Sequence, residues 1–278
     1  MKLKKTSYLV LAASLGLGST AVLAHEHGHD EQGQQVCTGF GPQTPRDIDS
    51  KQGDNKIAFS MAPDHTKMNL CNIHFHVNAE HKAKDFSIPG EADEHGNDTG
   101  YKCNIGQKLS AAELAATAEP VCKSEHGELK PGDTIEVHWV HSSAPVQPGK
   151  TLGACLNPNV GNPDLRVESQ VFVLVNDSKA LDFGKMGYSG KVVNGYHQAD
   201  GIPSNTGKPV LFTGSTTGPK YTNALCSPLQ VTWSVRPTCA KLDINTVAKW
   251  CKSNVFGEDH AHGVRKLVTN PGLLSEIK

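Results

Sequence analysis

Two short stretches of this chain carry histidine at alternate positions, and that alternation has chemical meaning only in extended backbone. In Asn72-Ile73-His74-Phe75-His76-Val77-Asn78-Ala79-Glu80-His81, the β-branched and aromatic residues suit a strand. The period of two then puts His74 and His76 on one face, about 6.6 Å apart along the backbone, within reach of a single cation. In Glu136-Val137-His138-Trp139-Val140-His141, Glu136 and His138 share a face while His141 points to the other. A catalytic zinc centre takes three protein ligands and keeps a fourth position open for water; His74, His76 and His138 are the candidate set, with Zn2+ as cofactor. Asn72 and Glu136, each two positions before a histidine on its own face, are candidates to hold the ligand rings from outside. With 14 histidines in the chain, one HxH pair also arises by chance, and Glu136 also reads as an ordinary solvent-facing strand residue. Two such strands favour the metal.

The remaining composition places the chain. Met1-Lys2-Leu3-Lys4-Lys5, then Tyr8 to Ala13 and Ala21-Val22-Leu23-Ala24, have the charged, apolar and small-residue regions of a secretory signal, expected over 1–24. The apolar run is too short and too interrupted to span a membrane comfortably, so the mature chain is expected to be periplasmic or secreted, without a membrane span. Residues 25–36 open with His25-Glu26-His27-Gly28-His29-Asp30 and read as a solvated, disordered leader with incidental metal affinity. Residues 37–278 are long enough for one large β domain. Without the three signal lysines the balance is 24 basic against 28 acidic residues. No basic stripe is present to displace counterions from phosphates, so nucleic acid is excluded as a partner. All eight cysteines (37, 71, 103, 122, 155, 226, 239 and 251) lie in the mature part. An even count in an exported chain favours disulfides, with about a hundred connectivities open. Cys103 and Cys122 flank one short segment and are a candidate pair closing it.

Along the chain, Ser110 to Ala116 carries a capping-box pattern stopped by Pro120 and predicts a short surface helix. Strands are expected at Thr134–Val140, Val171–Val175 and Val231–Val235, and a helix over 243–253. The tail Glu258-Asp259-His260-Ala261-His262-Gly263-Val264-Arg265 reads as solvated.

Asn72 to His76, Ala79-Glu80-His81, Glu136 to His141, Gly214-Ser215-Thr216-Thr217 and Val231-Thr232-Trp233 resemble, in order, the landmarks of an alpha-class carbonic anhydrase. The HFHxxAEHK and EDHAHGVR text is similar to the delta class. The resemblance implies a single mainly β (α+β) domain on a large, mostly antiparallel central sheet with a few short surface helices. It implies hydration of carbon dioxide to bicarbonate and a proton through a zinc-bound hydroxide, with zinc held by His74, His76 and His138. Glu80 would accept a hydrogen bond from Thr216, with Thr217 the alternative because this loop lacks the family's leucine. Val140, Val173 and Trp233 would line the substrate pocket, and Cys37 would pair with Cys226. His65, His81 and His197 are candidate proton shuttles, since an imidazole titrates near neutrality; His141 reads as a buried structural residue.

Two other readings remain: a non-catalytic periplasmic metal-binding or storage protein using the leader, and a zinc hydrolase acting on esters. Deleting residues 25–31 separates the first from catalysis. The expected outcome, measured by titration against a chromophoric chelator, is one tightly bound zinc per chain retained; storage requires a large loss of capacity.

Overall fold

Runs rich in Val, Ile, Thr and aromatic residues pair into strands, as their fit to a pleated surface favours. The computed structural model describes residues 37, 39–91, 99–124, 127–218 and 220–278, so the expected signal and leader lie outside the described residues. Its strands are β1 (Asn69–Val77), β2 (Phe86–Pro89), β3 (Tyr101–Cys103), β4 (Val121–Ser124), β5 (Gly127–Leu129), β6 (Thr134–Ser142), β7 (Leu165–Val175), β8 (Val192–Val193), β9 (Tyr196–His197), β10 (Val210–Ser215) and β11 (Gln230–Asp243). One α-helix, α1 (Ile244–Lys252), follows. Five strands form the central sheet in the order β1-β6-β7-β11-β10. Only the β7–β11 pairing is parallel; the other three are antiparallel. The structure is therefore mainly β on a large mixed sheet, the class the sequence predicts. Among the described residues no helix is long and apolar enough to cross a membrane.

Every residue of β6 and of β7 is buried, so both faces of the sheet are covered and period two decides which side each residue joins. On one side Ile73, Phe75, Val137, Trp139, Phe172 and Leu174 pack against Phe183 and the Val247 and Trp250 face of α1. Each fully buried aromatic there contributes about 2 kcal/mol of apolar burial. On the other side Val140, Val167, Val171, Val173, Val231 and Trp233 form a second core, and His138 shares this face.

Asp243 caps α1 by accepting from the Asn245 amide at 3.0 Å, and Lys249 and Lys252 sit in its last turn, where the helix dipole favours cations. The helix expected at 110–116 does not form. Its capping-box contacts are made, with Ser110 N donating to Glu113 at 2.8 Å. However, the Glu113 carbonyl accepts from Asn176 N and the Ala115 and Ala116 carbonyls from the Asn176 side chain. Leu114 N donates to Ser110 O at 3.1 Å, a single turn, and the carbonyls that follow are satisfied by Asn176 instead of by a further turn.

Four disulfides join Cys37–Cys226, Cys71–Cys155, Cys103–Cys239 and Cys122–Cys251. The Cys103–Cys122 pairing is thereby corrected: Cys103 turns into the core over the β7–β11 side, whereas Cys122 faces α1. The Cys37–Cys226 bond implied by the resemblance is present.

The tail does not stay in solvent. His262 N donates to Phe75 O and Val77 N donates to His262 O, each at 2.9 Å, covering the free edge of β1 at the HxH pair. Gly100 permits a related close approach: at φ +81°, a Cβ there would stand 2.5 Å from the Ala79 carbonyl.

His141 is fully buried behind the sheet, its Nδ1 donating to Trp139 O at 3.0 Å, with the His65 ring 5.3 Å away. Burial, reinforced by His65, pushes its pKa down to about 3. Unfolded histidine titrates near 6.5, so between those values the unfolded chain binds the extra proton and stability falls as pH falls. Urea unfolding of the metal-free chain should show this residue removing about 2 kcal/mol between pH 6.5 and 5. The variant His141→Asn should have a correspondingly shallower pH slope.

Candidate metal centre

The register of β1 on β6 assembles the site. His74 lies opposite His138 and His76 opposite Glu136, which brings three imidazoles onto one patch of the sheet. Their ring centroids stand 4.9–5.2 Å apart, and one nitrogen of each lies within 4.8 Å of the other two.

Each ring has an outer partner. His74 Nδ1 donates to Asn72 Oδ1 at 2.7 Å, and Asn72 is itself tied to Gly149 O. His76 Nδ1 lies 2.7 Å from Glu80. His138 Nε2 lies 3.2 Å from Glu136. Each contact lies on the outer nitrogen of its ring and leaves the other nitrogen directed inward. His74 Nε2 and His138 Nδ1 face each other at 3.3 Å, and burial holds both rings below the usual imidazole value. Nitrogens bound at about 2.0–2.1 Å to a tetrahedral zinc stand roughly 3.4 Å apart, so the donor set fits zinc. For His76, desolvation opposes the charge but Glu80 outweighs it and raises the pKa.

Glu136 is the best-connected group. One carboxylate oxygen accepts from Glu80 N at 2.6 Å and His81 N at 3.2 Å. The other accepts from His81 Nδ1 at 2.8 Å and from the Ser169 hydroxyl, besides facing His138. Burial works against its charge, but His81 and His138 hold it well below the usual carboxylate range.

Two cavities meet at the rings. One, of about 220 Å³, touches His74 and His138 and is lined by Val140, Val167, Val231 and Trp233, with Thr216 and Thr217 at its side. The other, of about 680 Å³, opens over His74 and His76 between Lys150, Glu258, His260 and His262.

Other expected residues lie elsewhere. Val173 does not line the pocket: it pairs with Thr134, whereas Val167 pairs with Val140. The strand presents both on one face, six residues or about 20 Å apart. The Thr216–Glu80 hydrogen bond is not made, because the Thr216 hydroxyl is 2.8 Å from Ser227 Oγ and Glu80 is turned to His76. His81 is fully buried between Glu136 and Thr44 Oγ1, with no path to buffer. His197 bonds Tyr188 and His65 packs on His141; neither borders a cavity beside the rings. The imidazoles there are His260 and His262, the latter 3.0 Å from Glu258 and with its ring 6.1 Å from those of His74 and His76. The HxH text within 258–265 was the available signal. Its link to β1 is long-range backbone pairing, which no local pattern displays.

The sequence profile described as delta carbonic anhydrase matches residues 65–246, and the chain belongs to that family. No curated protein matches it. The chain is similar to an alpha-carbonic anhydrase of Photobacterium profundum, at 16% identity and a TM-score of 0.27, covering 84% of this chain and 88% of that one. It is also similar to the Thermovibrio ammonificans alpha-carbonic anhydrase in complex with sulfanilamide, at 14% identity and a TM-score of 0.27, covering 81% and 83%. A hyperthermostable carbonic anhydrase from a hydrothermal vent chimney shows 15% identity and a TM-score of 0.28, covering 84% and 88%.

Partners outside a ligand ring typically govern metal affinity by 10–100-fold. Glu136→Gln, which keeps the size and removes the charge, should therefore weaken zinc binding by roughly that factor in competition with a chelator. Circular dichroism should stay that of a folded β protein.

Proposed function

We propose that this chain hydrates carbon dioxide to bicarbonate and a proton, with zinc held by His74, His76 and His138. The supporting observation is the convergence of three inward lone pairs beside a small apolar chamber, in a member of the delta carbonic anhydrase family. Zinc bound there would supply Lewis acidity, bringing the pKa of a coordinated water toward neutrality.

The protein's own residues divide the remaining work. Asn72 holds the His74 ring by a hydrogen bond, and the Glu80 and Glu136 carboxylates stand beside the outer nitrogens of His76 and His138. Val140, Val167, Val231 and Trp233 offer an apolar wall that receives a small, uncharged, linear molecule and excludes water from it. Thr216 and Thr217 also line this chamber, and their hydroxyls would orient the attacking oxygen by hydrogen bonding. Charged product and proton leave by the larger polar opening, where His260, His262, Glu258 and Lys150 stand. Four disulfides indicate an oxidising compartment, which agrees with export directed by residues 1–24 into the periplasm or medium.

Stopped-flow hydration with a pH indicator tests the reading. The zinc-loaded wild type should exceed the buffer rate by orders of magnitude, and His138→Ala should lose at least a hundredfold of that activity. A fully zinc-loaded wild type no faster than buffer overturns the proposal.

A further inference from the structure

Ser169 is a polar residue on a strand face otherwise made of Val167, Val171 and Val173, and it is 2% exposed. In register it lies opposite His138 on β6 and beside Val235 on β11. A serine hydroxyl buried among valines costs stability unless it is hydrogen-bonded. Its acceptor is the Glu136 oxygen that also takes His81 Nδ1 and faces His138 Nε2.

That oxygen therefore has two hydrogen-bond donors from two parts of the chain, His81 after β1 and Ser169 on β7, and lies 3.2 Å from His138 Nε2 on β6. Two backbone amides hold the other oxygen of the carboxylate, and on this one His81 Nδ1 donates from the segment following β1, so every other hydrogen bond to the group comes from the β1 side. Ser169, reaching across from the third strand, closes the remaining direction. Displacement of Glu136 would move the charge that stands 3.2 Å from His138 Nε2 and let the His138 ring turn off the point where the three rings converge.

We infer that Ser169 is a positioning residue for the metal centre, fixing the Glu136 carboxylate and through it the ring of His138. The inference rests on His74, His76 and His138 being the zinc ligands and goes beyond that reading in assigning the third strand a part in metal retention. Ser169 lines neither of the two cavities at the rings, and its hydroxyl reaches Glu136.

The test compares wild type, Ser169→Ala and Ser169→Thr, which restores a hydroxyl on a side chain suited to a strand. Zinc dissociation is followed by transfer to a chromophoric chelator, and unfolding of the zinc-free proteins is measured alongside. The expected result is zinc loss about tenfold faster in Ser169→Ala, the lower end of effects seen when an outer partner is removed, with Ser169→Thr near wild type. Equal dissociation rates in all three proteins overturn the inference. So does a Ser169→Ala effect confined to the stability of the zinc-free chain, which would make the serine a packing residue only. A wild type that binds no zinc overturns the underlying reading instead, so the two failures are distinguishable.

Discussion

The site is built around a buried negative charge. Glu136 is excluded from water, and a carboxylate in such surroundings persists only when its oxygens are saturated with donors. Here the donors are two consecutive backbone amides, the His81 imidazole and the Ser169 hydroxyl, with the His138 ring 3.2 Å away. Satisfying this one group fixes the turn after β1, the tautomer of His138 and the spacing of β6 from β7. The ligand rings are thus oriented as a consequence of settling an electrostatic problem in the core.

The two-sided character of the region above the rings follows from the alternation that buries the sheet. Even-numbered residues of β6 and odd-numbered residues of β7 share one face, so the valines at 140 and 167 continue the same surface that carries His138 and Ser169. The apolar chamber is an extension of the second core. The polar side is contributed from elsewhere, by the returning tail, whose His262 backbone pairs with the strand edge. Those tail residues lie beyond the segment matched by the family profile, which ends at residue 246.

Much of this was legible in the sequence because it rests on local periodicity. The shared face of His74 and His76, that of Glu136 with His138, and the opposite direction of His141 all follow from a period of two. The strands around Val137, Phe172 and Trp233 follow from composition. What was illegible depends on partners distant in the chain. Nothing near Ser110 signals that Asn176 will claim its turn's carbonyls. Val173 and Val167 are equally apolar, and only register against β6 says which stands opposite Val140. Candidate shuttles chosen for titration alone, His65, His81 and His197, failed because position relative to the cavity is a tertiary property. Ser169 did leave a trace, a lone hydroxyl within a valine alternation.

The cross-links carry a consequence for biosynthesis. None closes a local loop: sequence separations run from 84 to 189 residues. As the chain emerges from its N-terminus, the earliest native bond waits for Cys155, and the other three wait for Cys226 or later. Up to five thiols are therefore exposed together before the last quarter of the polypeptide appears, and they can form wrong pairs first. Efficient production calls for an isomerase that reshuffles such pairs as well as an oxidant, and recombinant yield should track that assistance more closely than expression level.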